Sequence, residues 1–275
     1  MSVNVNLHSL VKDGFTDGAK YDQHRPEYAE ECVTCIARML STNFETTKEE
    51  ESYSDRACDI LELGAGTGML TKRLSTLLPK EKRLIASEPM PDFFNTLQRN
   101  CPTVNAKQHS AESIPLPDNS VEGIVAAQSF HWFANEKALS EMLRVLKPKG
   151  NIVLVWNIQD RQTDWVRIIR DTYLQKEFIP DEISYDSFKW KDVLNNCNAI
   201  GLQESKILDY PSIQYSVDGL IELYSTMSVI SQKSPDDKQR VLADLRHVLS
   251  THPDTVGKDI LYLPHYIDLQ HYIKR

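Results

Sequence analysis

From Cys58 onward the chain alternates short apolar runs with longer segments whose apolar side chains recur every three or four positions, the pattern of strands joined by crossover helices. The runs predict strands over 59–63, 83–87, 104–108, 121–127 and 151–157, and the amphipathic segments predict helices over 67–78, 91–100 and 136–146. The last helix is expected to stop at Lys147, Pro148 and Gly150. Beyond Trp156 the pattern loosens into a long helix over 164–177, a strand over 205–210, and helical stretches over 217–231 and 235–250. The chain closes with DILYLPHYIDLQHYIKR, whose aromatic and β-branched residues predict a last strand or hairpin interrupted by Pro264. Counted together, these runs give a Rossmann-like α/β fold: a doubly wound, mostly parallel seven-stranded sheet with a helical cap.

Ahead of this pattern, residues 26–41 open with Pro26 and carry Ala29, Cys32, Val33, Ile36 and Leu40 at helical spacing. The stretch STNFETTKEEESYSDR that ends them has no periodicity and reads as a solvated connection. The expected organisation is one structural domain: a lid helix and linker over 1–56, a core over 57–160, and the remainder of the sheet with its helical cap over 161–275.

Composition narrows the function classes. A quarter of the residues are charged and 41% are hydrophobic, the balance of a globular chain able to bury a core. The net charge of −8, without any Lys/Arg-rich run, disfavours a nucleic-acid partner, because a polyphosphate backbone would be repelled. No run approaches the ~20 apolar residues of a membrane helix, and MSVNVNLHSLVKDG lacks a basic region followed by an apolar core. A cytoplasmic protein without a membrane partner is expected. The five scattered cysteines do not suit a disulfide framework, and Cys32-x-x-Cys35, with no second metal-binding pair, reads as helix packing with no metal.

The chemistry begins at LELGAGTG, residues 61–68, which follows an apolar strand and leads into an amphipathic helix. Ligands of open α/β sheets sit at the carboxyl ends of strands, and Gly64, Gly66 and Gly68 remove Cβ atoms where a ligand would approach. A dinucleotide fingerprint needs glycine or alanine three positions after its second glycine, and that position is Met69. The pattern is instead E-x-G-x-G-x-G, which resembles the nucleoside-binding loop of class I S-adenosylmethionine-dependent methyltransferases of the type 11 group.

The resemblance implies S-adenosyl-L-methionine as cofactor and assigns it to named residues. Glu62 would help hold its amino-acid end, with Gly64, Ala65, Gly66 and Gly68 as the loop. In the sequence IASEP, Glu88 would accept from both ribose hydroxyls, beside Pro89. HSAESIPLPDNSVEGIVAAQSFHW is similar to the adenine-binding stretch and fourth strand of the family, placing Ala111 and Glu112 near the base and Gln128 at the strand end. Ser110 stands where many members carry an acid. Tyr21, Asp22, His24, Arg25 and Pro26 resemble the Y-x-x-x-R-P element laid over the cofactor, with Arg25 facing the methionine carboxylate or an acidic substrate.

His131 and Trp132 are the catalytic candidates, His131 either as a general base or as a packed, hydrogen-bonded residue. In layout the chain looks most like the trans-aconitate methyltransferase-like group. The activity implied is methylation of a small molecule, with a carboxylic acid as the suggested acceptor. The competing readings are a protein or other N-methyltransferase and a nicotinamide-dependent oxidoreductase, which shares the fold and the ribose carboxylate.

Overall fold

The structure, a computed structural model, describes residues 22, 25–41, 59–80, 82–177 and 184–275. Seven strands form one sheet: β1 (Ile60–Leu63), β2 (Leu84–Ser87), β3 (Asn105–Lys107), β4 (Val121–Ala127), β5 (Leu146–Gln159), β6 (Ile200–Ser216) and β7 (Ile260–Lys274). Their order is β3-β2-β1-β4-β5-β7-β6. The first five run parallel, and β7 slots antiparallel between β5 and β6. The doubly wound, mostly parallel expectation therefore holds.

Both faces of the sheet are covered, which is why the central strands read as unbroken apolar runs. Leu61, Leu63, Ile124, Ala126, Ile152 and Leu154 pack with Ala138, Leu139 and Met142 on one face. The alternate residues Ile60, Val125, Val153 and Val155 pack on the other with Val33, Ile36, Leu40, Leu70 and Leu74. The helices on that second face are α1 (Glu30–Ser41) and α2 (Met69–Leu77). A twelve-residue helix such as α1 is marginal alone. Its buried Cys32, Val33, Ile36, Met39 and Leu40, at roughly 1.5–3 kcal/mol each for the larger side chains, hold it to the sheet. Cys32 and Cys35 belong to this packing, and burial pushes the Cys32 thiol up to about 12.

Four expectations need correction. The helix Glu30–Ser41, expected as a lid, packs on a face of the sheet instead, and it is Arg25, Pro26 and Tyr28, ahead of it, that reach the cavities described below. Residues 164–177 are not one regular helix: a short α turn, Asp164–Arg167, passes into the wider π geometry of Ile168–Leu174 and a closing turn at Gln175–Glu177. Pro264 does not interrupt β7. It lies opposite the β6 irregularity between Tyr210 and Ile213, where the ladder asks for no N–H, and its carbonyl still accepts from the Asp160 amide at 2.9 Å. Lys147 and Pro148 likewise lie inside β5, which starts at Leu146 rather than near 151.

The cap is a third apolar cluster, in which Trp165, Ile169, Leu220, Tyr224, Leu245 and Leu263 meet. It is built from residues 164–177 and the helices Val217–Ser225, Ser228–Ser231 and Pro235–Thr251. Among the described residues no helix is long and apolar enough to cross a membrane.

Candidate active site

The parallel register Glu62↔Ala86 puts the carboxyl ends of β1 and β2 side by side, so Glu62 and Glu88 converge below the glycine loop. Glu62 Oε2 accepts from the Thr71 hydroxyl at 2.7 Å. Glu88 accepts at Oε2 from the Gly66 amide and at Oε1 from the Met90 amide, both at 2.9 Å. Burial pushes the Glu62 carboxyl up to about 8 against the bond from Thr71, and the negative Glu88 adds to the rise. Burial likewise pushes Glu88 up to about 7, opposed by its two amide donors. Two desolvated carboxylates thus face one cavity, which favours a ligand that supplies hydroxyl donors and positive charge.

That cavity, about 390 Å³, is lined by Glu62, Gly64, Ala65, Gly66, Glu88, Pro89, Ala111, Glu112, Gln128 and Trp132, all candidates from the sequence. Met90, Phe93, His109 and Ser110 also line it, beside Pro89 and Ala111. The loop glycines serve different ends. A Cβ on Gly64 would meet Ser129 Cβ at 2.7 Å, and one on Gly68 would meet Cys101 Sγ at 2.8 Å and Leu97 Cδ1 at 2.9 Å. Those two let the protein pack on itself, and Gly68 does not line the cavity. At Gly66 the nearest such contact is Phe93 Cδ1 at 3.8 Å, which leaves the cavity wall open.

Tyr21 and His24 lie outside the described residues. Asp22 accepts from the Thr67 hydroxyl at 2.8 Å and from Asn100 Nδ2 at 3.3 Å, tying the N-terminal segment to the loop. Arg25 lines not the first cavity but a second, of about 180 Å³, and its Nη2 donates to the Thr226 carbonyl at 3.3 Å. The two cavities abut across Tyr28, Met69, Gln128 and Trp132, which line both. Gln128 holds a positive φ of 56° while its Nε2 donates to the Asn157 carbonyl at 3.0 Å, joining the ends of β4 and β5.

His131 lines the second cavity. Its Nδ1 accepts from Trp156 Nε1–H at 3.1 Å, and burial pushes its pKa down to about 3 against the pull of Asp186. Sequence reasoning missed Arg170, Asp186 and His265, which line the same cavity. Arg170 Nη2 donates to Asp186 Oδ2 at 2.7 Å, and Arg161 pairs with the same carboxylate. Burial, with both Arg25 and Arg170 nearby, pushes His265 down to about 4. These residues come from three separated segments with no shared motif, so only the fold reveals them as neighbours.

Comparison with known proteins agrees with this geometry. Residues 60–150 match a family described as methyltransferase domain. An uncharacterized methyltransferase-like protein of Schizosaccharomyces pombe is 33% identical over 90% of this chain and 90% of its own. An uncharacterized methyltransferase of Mycobacterium bovis is 28% identical over 85% and 96%. The solved structure of a type II methyltransferase candidate from Anaeromyxobacter dehalogenans shares the fold, with a TM-score of 0.62, 18% identity, and coverage of 90% of this chain and 96% of that one.

Proposed function

Because the chain belongs to the class I S-adenosylmethionine-dependent methyltransferases, we propose that its first cavity holds the cofactor and its second a small carboxylic acid that is methylated on oxygen. The observation that carries this reading is the pair of abutting cavities, one walled by two buried carboxylates and the other by two arginines. Glu88 is oriented by its two amide donors and keeps lone pairs for ribose hydroxyls, while Glu62 offers a negative partner to an α-ammonium group. The bound cofactor supplies an electrophilic methyl on a sulfonium. The protein's part is orientation: Tyr28, Met69, Gln128 and Trp132 set the wall across which donor and acceptor meet.

Glu88 suits the ribose of either cofactor, but Glu62 would repel a dinucleotide's pyrophosphate at the glycine loop, and Met69 stands where that fingerprint needs glycine or alanine. Calorimetry is expected to show binding of S-adenosylmethionine and S-adenosylhomocysteine but not NAD. Equal or tighter binding of NAD would overturn the cofactor assignment.

The acceptor class is supported by charge. The guanidinium groups of Arg25 and Arg170 both line the second cavity and favour an acceptor that carries negative charge. A carboxylate, with an unperturbed pKa near ~4, arrives ionised and needs no base. The likeness of layout to the trans-aconitate methyltransferase-like group points the same way. Labelled cofactor incubated with a fractionated metabolite extract is expected to yield a base-labile methyl ester by mass spectrometry; a stable N-methyl or S-methyl product sinks the reading.

A further inference from the structure

We propose that His131 acts in the acceptor cavity as a neutral hydrogen-bond donor through Nε2–H, and that Trp156 is the positioning residue that fixes this tautomer. The assignment of the second cavity to the acceptor rests on the proposed function; the tautomer rests on geometry alone. An indole N–H can only donate, so at 3.1 Å it obliges His131 Nδ1 to accept. Trp156 cannot turn away. It is fully buried, its ring centroid lies 4.4 Å from that of Trp190 and 5.2 Å from that of Tyr185, and its backbone is paired with Asp268 of β7. Were the imidazole to present hydrogen at Nδ1, a buried N–H would face another N–H, and both would lose their partner.

The groups around the imidazole keep it in that state. Asp186 is the carboxylate whose charge reaches it, and that charge is already shared by Arg161 and Arg170. Arg25 and Arg170 line the same cavity and disfavour a further cation there, and His265, pushed down to about 4, adds none. Burial pushes His131 in the same direction. Its remaining edge, Nε2–H, meets no protein acceptor among the described residues.

The chemical consequence concerns the acceptor. A donor at this position rewards a lone pair and offers no place for a proton, so it selects an oxygen that is already ionised over an amine or alcohol that must lose hydrogen. The oxygen lone pair forms the new bond to the methyl carbon, the carbon–sulfur bond breaks with its electrons passing to sulfur, and no proton leaves. His131 then holds the reacting group by its second oxygen, without competing for the attacking pair.

Long-range ¹H–¹⁵N spectra of the ¹⁵N-labelled full-length protein bound to S-adenosylhomocysteine test this, with His131 assigned by the signal lost in His131→Gln. The expected spectrum shows Nδ1 unprotonated and Nε2 protonated from pH 5.5 to 8, without titration. Trp156→Phe is expected to release the lock, giving mixed tautomers and a titration displaced upward toward the ordinary histidine range near ~6.5. A wild-type Nδ1–H tautomer, a wild-type imidazolium forming near ~6.5, or an unaltered spectrum in folded Trp156→Phe would overturn the proposal. If Trp156→Phe does not fold, the wild-type pH series decides alone. An N-methyl product alongside the expected spectrum would sink the carboxylic-acid reading while leaving the tautomer standing, so the two failures are distinguishable.

Discussion

Gly68→Ala is expected to cost the fold about 2–4 kcal/mol, seen as a lowered midpoint in urea unfolding at unchanged slope, whereas Gly66→Ala should cost the fold roughly 1 kcal/mol and act mainly on cofactor affinity. The two glycines are two residues apart and both have positive φ, 92° and 61° respectively. What separates them is the space a methyl would enter. At Gly68 it strikes Cys101 Sγ and Leu97 Cδ1, both under 3.0 Å and both buried in the apolar cluster beneath the loop, so one or both side chains must shift within a packed core. Overpacking then adds to the left-handed backbone penalty. At Gly66 no contact is closer than 3.8 Å, and the methyl instead occupies the cavity wall beside the amide that donates to Glu88. Equal unfolding midpoints for the two variants would show that loop packing plays no part in the choice of glycine.

That pair also marks how far the sequence could be read. The alternation of apolar runs and amphipathic segments gave the parallel half of the sheet, because strands covered on both faces must be continuously apolar, and it placed β4 and the helix Pro91–Asn100 at their observed ends. The E-x-G-x-G-x-G loop led to Glu62 and Glu88, since both lie at adjacent strand ends where local sequence and topology coincide. The sequence offers one reason for all three glycines, the approach of a ligand, whereas the structure adds a second: a Cβ on Gly64 or Gly68 would meet Ser129, Cys101 or Leu97, contacts made across the fold, and of the three only Gly68 stays off the cavity wall.

The second cavity was legible at Arg25, Pro26, Gln128, His131 and Trp132. Arg170, Asp186 and His265 arrive from a π-wound segment, from the turn Tyr185–Ser187, and from a strand expected to be interrupted at Pro264. Local propensity reports on none of these meetings, because each is made by tertiary packing of the cap on the sheet.

Cofactor affinity is expected to fall by at least about tenfold between pH 8 and pH 6, with protons released on binding in that window. In the free protein Glu88 is pushed up to about 7 and Glu62 to about 8, chiefly by burial, so both carboxyls are partly or largely protonated at pH 6. Ribose hydroxyls and an ammonium group favour the ionised carboxylates, so binding below these values must first expel protons. Glu88 alone accounts for about a tenfold change across two pH units, and Glu62, coupled to it, enlarges the change. The stability of the free fold should run the opposite way. A carboxyl raised on folding binds more protons in the native than in the unfolded state, so its contribution is fully present below the unfolded value near 4.5 and is lost as pH rises through 7 to 8. The ligand-free melting temperature is therefore expected to decline between pH 5.5 and 8.5, and saturating S-adenosylhomocysteine should flatten that decline by satisfying both carboxylates in their charged form. Titration calorimetry in buffers of different ionisation enthalpy counts the released protons directly, and Glu88→Gln should remove its share of them. A dissociation constant unchanged from pH 6 to 8 with no proton exchanged would mean that neither carboxylate meets the cofactor, and the assignment of the first cavity would fail with it.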